Sequence, residues 1–226
     1  MIGHNSKIYI AGHNGMVGSA CWRALEAKGY KNIIGFGSKE LDLRDQIAVF
    51  EMFDSEKPVV IIDAAAKVGG ILANSQNPYE FLMDNMLIQN NLIRTAHELN
   101  IKKFIFLGSS CIYPKMAPQP LKEEYLLTGP LEETNQWYAI AKISGVKLIE
   151  ALRDQYNRDY VSLMPTNLYG PGDNYDLETS HVLPAMLRKF HEAKQKNINE
   201  VILWGTGNPK REFLHVNDLA KAVIFS

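Results

Sequence analysis

Apolar positions run along the chain in two alternating rhythms. Five short stretches, Lys7 to Ala11, Asn32 to Phe36, Val59 to Asp63, Lys103 to Leu107 and Tyr160 to Leu163, are rich in β-branched and aromatic residues and nearly unbroken in their apolarity. Such runs predict strands buried on both faces. Between them lie stretches with helical spacing: one ending near Lys28, one near Leu43 to Phe53, one across Tyr79 to Leu99 and one across Tyr138 to Tyr156. In the first of these, Val17, Ala20, Cys21, Ala24 and Leu25 follow the i, i+3, i+4, i+7, i+8 pattern of a buried helix face, so Cys21 is read as core. Strand and helix in strict alternation predict an α/β protein built on a doubly wound parallel sheet.

Two regions break the rhythm. Cys111 to Gln136 is rich in proline and acid and has neither period; a loop this long inside a compact domain is usually functional. After Pro165 the chain turns frequently through Thr179, and a helix is predicted from about His181 to Lys194. A short strand (Val201 to Trp204), a Gly-Thr-Gly-Asn-Pro turn and a helical start at Asn217 to Phe225 follow. The last element is still running where the chain stops.

Composition narrows the classes. With 226 residues, 46 % hydrophobic and 22 % charged, the chain can bury one substantial core. Its 24 basic residues nearly balance 25 acidic ones, so no bulk positive field exists to draw nucleic acid or an anionic membrane, and any anionic ligand must be met locally. Met1 to Ser6 does not read as a leader and no stretch is long enough to span a bilayer, so the cytoplasm is expected. Two cysteines suit a reducing compartment. No metal site is expected.

Chemistry concentrates at the carboxyl ends of the predicted strands. Gly12-His13-Asn14-Gly15-Met16-Val17-Gly18 follows the first strand and opens a helix. Glycines there allow a tight turn and close approach to a pyrophosphate, which then sits on helix N-terminal amides; alone, the same pattern also fits a turn in an unrelated fold. The second strand ends in Gly37-Ser38-Lys39, where Lys39 either meets the 2′-phosphate of NADP or is a solvated loop lysine. Tyr138 and Lys142, four apart, share one helix face. The ammonium is expected to lower the tyrosine pKa while the hydroxyl passes a proton to a carbonyl oxygen. Ser109 and Ser110 follow the fourth strand, where a hydroxyl can donate to that oxygen or can simply cap a turn.

Together these residues resemble the extended short-chain dehydrogenase/reductase family. Further blocks carry the likeness over essentially the whole chain: Ala64 to Ile71, Leu107 to Pro114, Met164 to Pro171 and Arg211 to Val216. The resemblance implies a Rossmann-type doubly wound sheet with an incomplete C-terminal substrate-binding region. Residues 1–164 would bind the dinucleotide, 165–211 would form part of the substrate region, and 212–226 would return to pack on the first domain. It also implies that the chain lacks the last part of that substrate region.

The blocks point to the branch of the family that epimerises GDP-4-keto-6-deoxy-D-mannose at C-3 and C-5 and reduces C-4 with NADPH. Tyr138, Lys142 and Ser109 would carry the reduction, and Cys111 and His181 the epimerisations. NADP would be held by the glycine loop, Lys39, Leu107, Gly108, Ser109, Ser110, Lys142, Pro165, Thr166, Asn167, Leu168 and His181. Lys189, Trp204 and Arg211 would bind substrate, the arginine at its diphosphate. Asn14 and Ser38 stand where family members often place arginines against the NADP phosphate. A homodimer is implied, with positions 80–99 and 138–156 at the interface.

Overall fold

The five apolar runs pair edge to edge in one parallel sheet. In the computed structural model, which describes residues 2–203 and 205–226, the strands are β1 (Ile8–Ala11), β2 (Ile33–Ile34), β3 (Val60–Asp63), β4 (Lys103–Leu107) and β5 (Asp159–Leu163). Their order is β2-β1-β3-β4-β5. The helices are α1 (Met16–Ala27), α2 (Gln46–Glu56), α3 (Ile71–Gln76), α4 (Pro78–Glu98), α5 (Gln136–Tyr156), α6 (Val182–Gln195) and α7 (Val216–Phe225).

Alternation along each strand divides the core into two. Tyr9, Ala11, Ile61, Phe104 and Phe106 meet Phe53 of α2, Leu92 and Ile93 of α4 and Ile149 of α5. Ile8, Ile10, Val60, Ile62, Ile105 and Leu107 meet Ala20, Cys21 and Leu25 of α1 and Leu219 and Val223 of α7. Covering both faces is what requires strands without polar gaps. Among the described residues, no helix is long and apolar enough to cross a membrane.

Local chemistry sets the ends of the elements. Asp45 caps α2, its side chain accepting from the Ile47 and Ala48 amides, so that helix begins at Gln46 rather than near Leu43. Proline opens α4, where its missing N–H removes nothing. Gly145 lets α5 lie close on β4: a Cβ there would come 2.5 Å from the Phe106 ring. Gln89 of α4 donates to the Ala141 carbonyl (2.6 Å) and Ser144 Oγ (2.9 Å), locking α4 to α5.

The structure departs from the sequence reading in three places. The stretch Val201–Leu203 forms no strand, and Trp204 lies outside the described residues. Instead β6 (Asn167–Tyr169) and β7 (Phe213–His215) pair in parallel as a separate ribbon, brought together by Asn167 donating to the Glu212 carbonyl. The short α3 was not foreseen; the buried Asn74 holds it by donating to the carbonyls of Gly69 and Gly70. The long loop also contains two single 3-10 turns, at Ser110–Ile112 and Glu123–Tyr125.

Candidate active site

From β1 the chain crosses to β2 on one side, and from β2 it returns to β3 on the other, so the sheet's switch point lies between β1 and β3. Ligands of open α/β sheets bind outside the carboxyl ends of the strands at such a point. Gly12 occupies it with φ +74°, and a Cβ there would lie 2.7 Å from the Ala64 carbonyl oxygen just past β3. Gly18 packs against the backbone of Gly12 and His13, seating α1 against the loop. Gly15 is the N-cap of α1, which has no side-chain cap bond and no acid in its first turn. Its first amides are therefore open to an anion, and the loop residues fit a dinucleotide pyrophosphate.

Exposed Asn14 lies beside the turn after β2: a Cβ on Gly37 would be 3.7 Å from Asn14 Nδ2. Lys39 is exposed on that turn. Opposite the glycine loop, the segment after β3 is pinned at Lys67, whose backbone N–H and carbonyl both bond the Asn85 side chain and whose Nζ pairs with Asp84 at 3.0 Å. Gly70 donates to the Thr179 carbonyl, joining this wall to the turn before α6.

At the end of β4 four predicted residues converge. Gly108 donates to the Leu163 carbonyl and Ser110 to that of Pro165, so Leu107–Ser110 runs beside Pro165–Leu168. Ser109 opens the 3-10 turn and accepts from the Cys111 amide at 3.4 Å. From α5, buried Lys142 donates to the Leu107 carbonyl at 2.9 Å, its Nζ 4.7 Å from the Phe106 ring centroid and 5.8 Å from that of Tyr138. Burial lowers the Lys142 pKa, with Asp63 and Cys111 acting against that fall. Burial raises the Cys111 thiol, which Ser109 and Lys142 pull back down.

Tyr138 corrects one expectation. Its pKa is raised, first by burial and then by Cys111 and Asp63, rather than lowered by Lys142. The ammonium faces the ring and is committed to the Leu107 carbonyl, so it does not stabilise a tyrosinate here. The phenol stays protonated, the form a general acid needs.

The other predicted residues lie outside this buried group. His181 is an exposed N-cap of α6. Lys189 donates to the Ile202 carbonyl at 3.4 Å, and Arg211 is exposed and donates to the Lys210 carbonyl. Thr166 contributes a buried hydroxyl with no partner.

Sequence reading missed Asp63. It ends β3 with no solvent exposure; one carboxylate oxygen accepts from the Ala65 amide at 3.2 Å and the other has no partner. Burial pushes its pKa up to about 6 against the pull of Lys142. The signal was a lone acid closing an otherwise apolar strand.

Sheet order, glycine cradle and the tyrosine-lysine face define a Rossmann-type dinucleotide-binding protein. The chain belongs to the NAD dependent epimerase/dehydratase family, whose profile matches residues 8–226. It is 56 % identical to GDP-L-fucose synthase 1 of Arabidopsis thaliana over 98 % of this chain and 68 % of that protein. It is 54 % identical to the GDP-L-fucose synthase of Escherichia coli (strain K12) over 96 % of this chain and 68 % of the other. Among solved structures, a GDP-mannoheptose C4 reductase from Campylobacter jejuni with NADP bound superposes with a TM-score of 0.91 at 37 % identity. That match covers 100 % of this chain and 75 % of the reductase.

Proposed function

We propose that the chain converts GDP-4-keto-6-deoxy-D-mannose to GDP-L-fucose by epimerising C-3 and C-5 and then reducing the C-4 ketone with NADPH. The observation that carries the reading is the junction of β4 and α5, where Ser109, Cys111, Tyr138 and Lys142 meet. The relatives supply the substrate class, and the uncapped glycine loop suits NADP. Residues 1–164 serve as the dinucleotide domain, with 165–211 contributing to the substrate region and 212–226 returning to the first domain.

When bound at the glycine loop, NADPH would supply the hydride for C-4. Ser109 and Tyr138 donate to the ketone oxygen, which makes the neighbouring C–H groups acidic. Cys111 and His181 form the proton-exchanging pair at C-3 and C-5, one removing a proton and the other returning one from the opposite face. Tyr138 then gives its proton to the C-4 oxygen as the hydride arrives. Lys142 would hold the nicotinamide ribose and offset the charge left on the phenol. Pro165, Thr166, Asn167 and Leu168 line the cofactor side, and Lys189, Trp204 and Arg211 contact the nucleotide-sugar.

Protein, NADPH and GDP-4-keto-6-deoxymannose mixed together should lose the absorbance of the reduced cofactor. NADPH binding without substrate-dependent oxidation would leave only a nucleotide-binding module. A second reading, a plain C-4 reductase, is favoured by the likeness to the heptose reductase. The product separates the two, because a plain reductase leaves C-3 and C-5 unchanged.

A homodimer through α4 and α5 accords with half-exposed Met83, Leu87, Trp137 and Ile140 on those helices. Sedimentation of a monomer at micromolar concentration would remove that part. A cytoplasmic setting suits the two unpaired cysteines.

A further inference from the structure

The proposed role of Lys142 requires an ammonium where almost no water reaches it. Lys142 is 3 % exposed. The Leu107 carbonyl is a dipole and the Phe106 ring a quadrupole; neither carries a net charge. A buried lysine without a counter-charge gives up its proton.

The sheet supplies that charge. Ala11, Asp63 and Phe106 are successive partners across β1, β3 and β4, and parallel partners share a face. Asp63 therefore points to the face that α5 covers, beside the Phe106 ring over which the Lys142 ammonium lies. It is completely buried, and one of its carboxylate oxygens has no hydrogen-bond partner. On the same face, one strand over, the Tyr9 hydroxyl is also buried and partnerless.

We propose that Asp63 is a positioning residue for the reaction: its buried carboxylate is the counter-charge that keeps Lys142 an ammonium beneath Tyr138. The inference rests on the proposed role of Lys142. Asp63 touches neither substrate nor cofactor in this scheme and acts through the lysine. The titratable groups facing the pair are Tyr9 from β1, Cys111 from the turn after β4, and Tyr138 from α5. Asp63 raises the pKa of all three that it acts on, Tyr9, Tyr138 and Lys142. It thus supports the ammonium and keeps the phenol protonated. The carboxyl itself titrates at about 6, so the counter-charge is present above that pH and withdrawn below it.

Two measurements on the full chain test this. In the first, aspartate carboxyl carbons are labelled with 13C and followed by NMR, with Asp63→Asn assigning the resonance. Asp63 should titrate near pH 6, and Lys142→Met should move its midpoint upward by about one unit or more, because the opposing charge is gone. A midpoint that Lys142→Met leaves in place overturns the proposal.

In the second, NADPH oxidation is followed from pH 5 to 9. Asp63→Asn should lower kcat about tenfold with little change in KM, erase the rise centred near pH 6 and bring the alkaline limb to lower pH. An unshifted profile overturns it, even if the melting temperature changes. If the chain shows no turnover but the NMR shift is present, the proposed reaction falls and the Asp63–Lys142 pairing stands.

Discussion

Lys142 on α5 donates to the carbonyl of Leu107 at the end of β4, a bond across 35 residues of sequence. It fixes a cation at the sheet edge, directly beside the Ser109 turn. Replacing the lysine with methionine removes the charge and keeps most of the volume. Turnover should fall by about 100-fold or more, with weaker NADPH binding. Stability at neutral pH should fall, since the buried Asp63 carboxylate is left without its counter-charge. Steady-state kinetics with thermal melts separate the two effects.

Tyr138→Phe should reduce kcat by about 10²–10⁴-fold and leave cofactor affinity nearly untouched. The hydroxyl is already held protonated by its surroundings, so its loss removes a proton donor and no charge. NADPH titration by fluorescence, alongside turnover, checks both halves of the expectation.

Gly18→Ala should disable the cofactor loop. The added methyl would lie 2.7 Å from the Gly12 carbonyl carbon and from His13 Cα, backbone atoms that cannot swing aside. A loss of about 1–3 kcal/mol by denaturant unfolding is expected, with NADPH affinity falling as α1 is pushed from the loop.

The two cysteines should differ in reactivity. Cys21 is fully buried, and burial pushes its pKa up to about 12; it should resist alkylation in the native state. Cys111 is partly exposed, and its pKa is also raised, so its thiolate is scarce at neutral pH and grows as pH rises past the ordinary thiol value. Iodoacetamide labelling at Cys111 should accelerate with pH, as should solvent-deuterium exchange into substrate. Cys111→Ser should stop that exchange.

Asp63 also predicts the shape of stability against pH. Its folded pKa, about 6, exceeds the usual value of about 3.9 for an unfolded chain, so the native state holds the proton more tightly. Its contribution is fully present below pH 4 and is lost as pH rises through 6. The difference amounts to roughly 3 kcal/mol. Asp63→Asn should flatten this part of the curve, a result that urea unfolding at pH 4.5 and 7.5 would reveal.

The main sheet was readable because burial on both faces forces an unmistakable composition: β1, β3, β4 and β5 lie where the apolar runs are. Three-residue β6 and β7 were invisible for the opposite reason. Their pairing depends on Asn167 and Glu212 meeting across 45 residues, which no local period records. The apolar triplet Val201–Leu203 resembled a strand but has no partner strand among the described residues. Tyr138, Lys142 and Ser109 were legible as candidates through spacing and motif, Cys111 only through the family resemblance. The direction of the Tyr138 shift was not, because it depends on where the ammonium points and on Asp63, a residue 75 positions earlier in the chain.

Helix α7 lies against α1, and its Val216, Leu219 and Val223 close the apolar layer over Ala20, Cys21 and Leu25. The helix that follows the glycine loop is thus roofed by residues some two hundred positions away. Lifting of this distant segment would uncover the apolar face of α1. Cys21, sealed beneath it, would become open to a thiol reagent only where α7 lifts, so its modification would report that lifting.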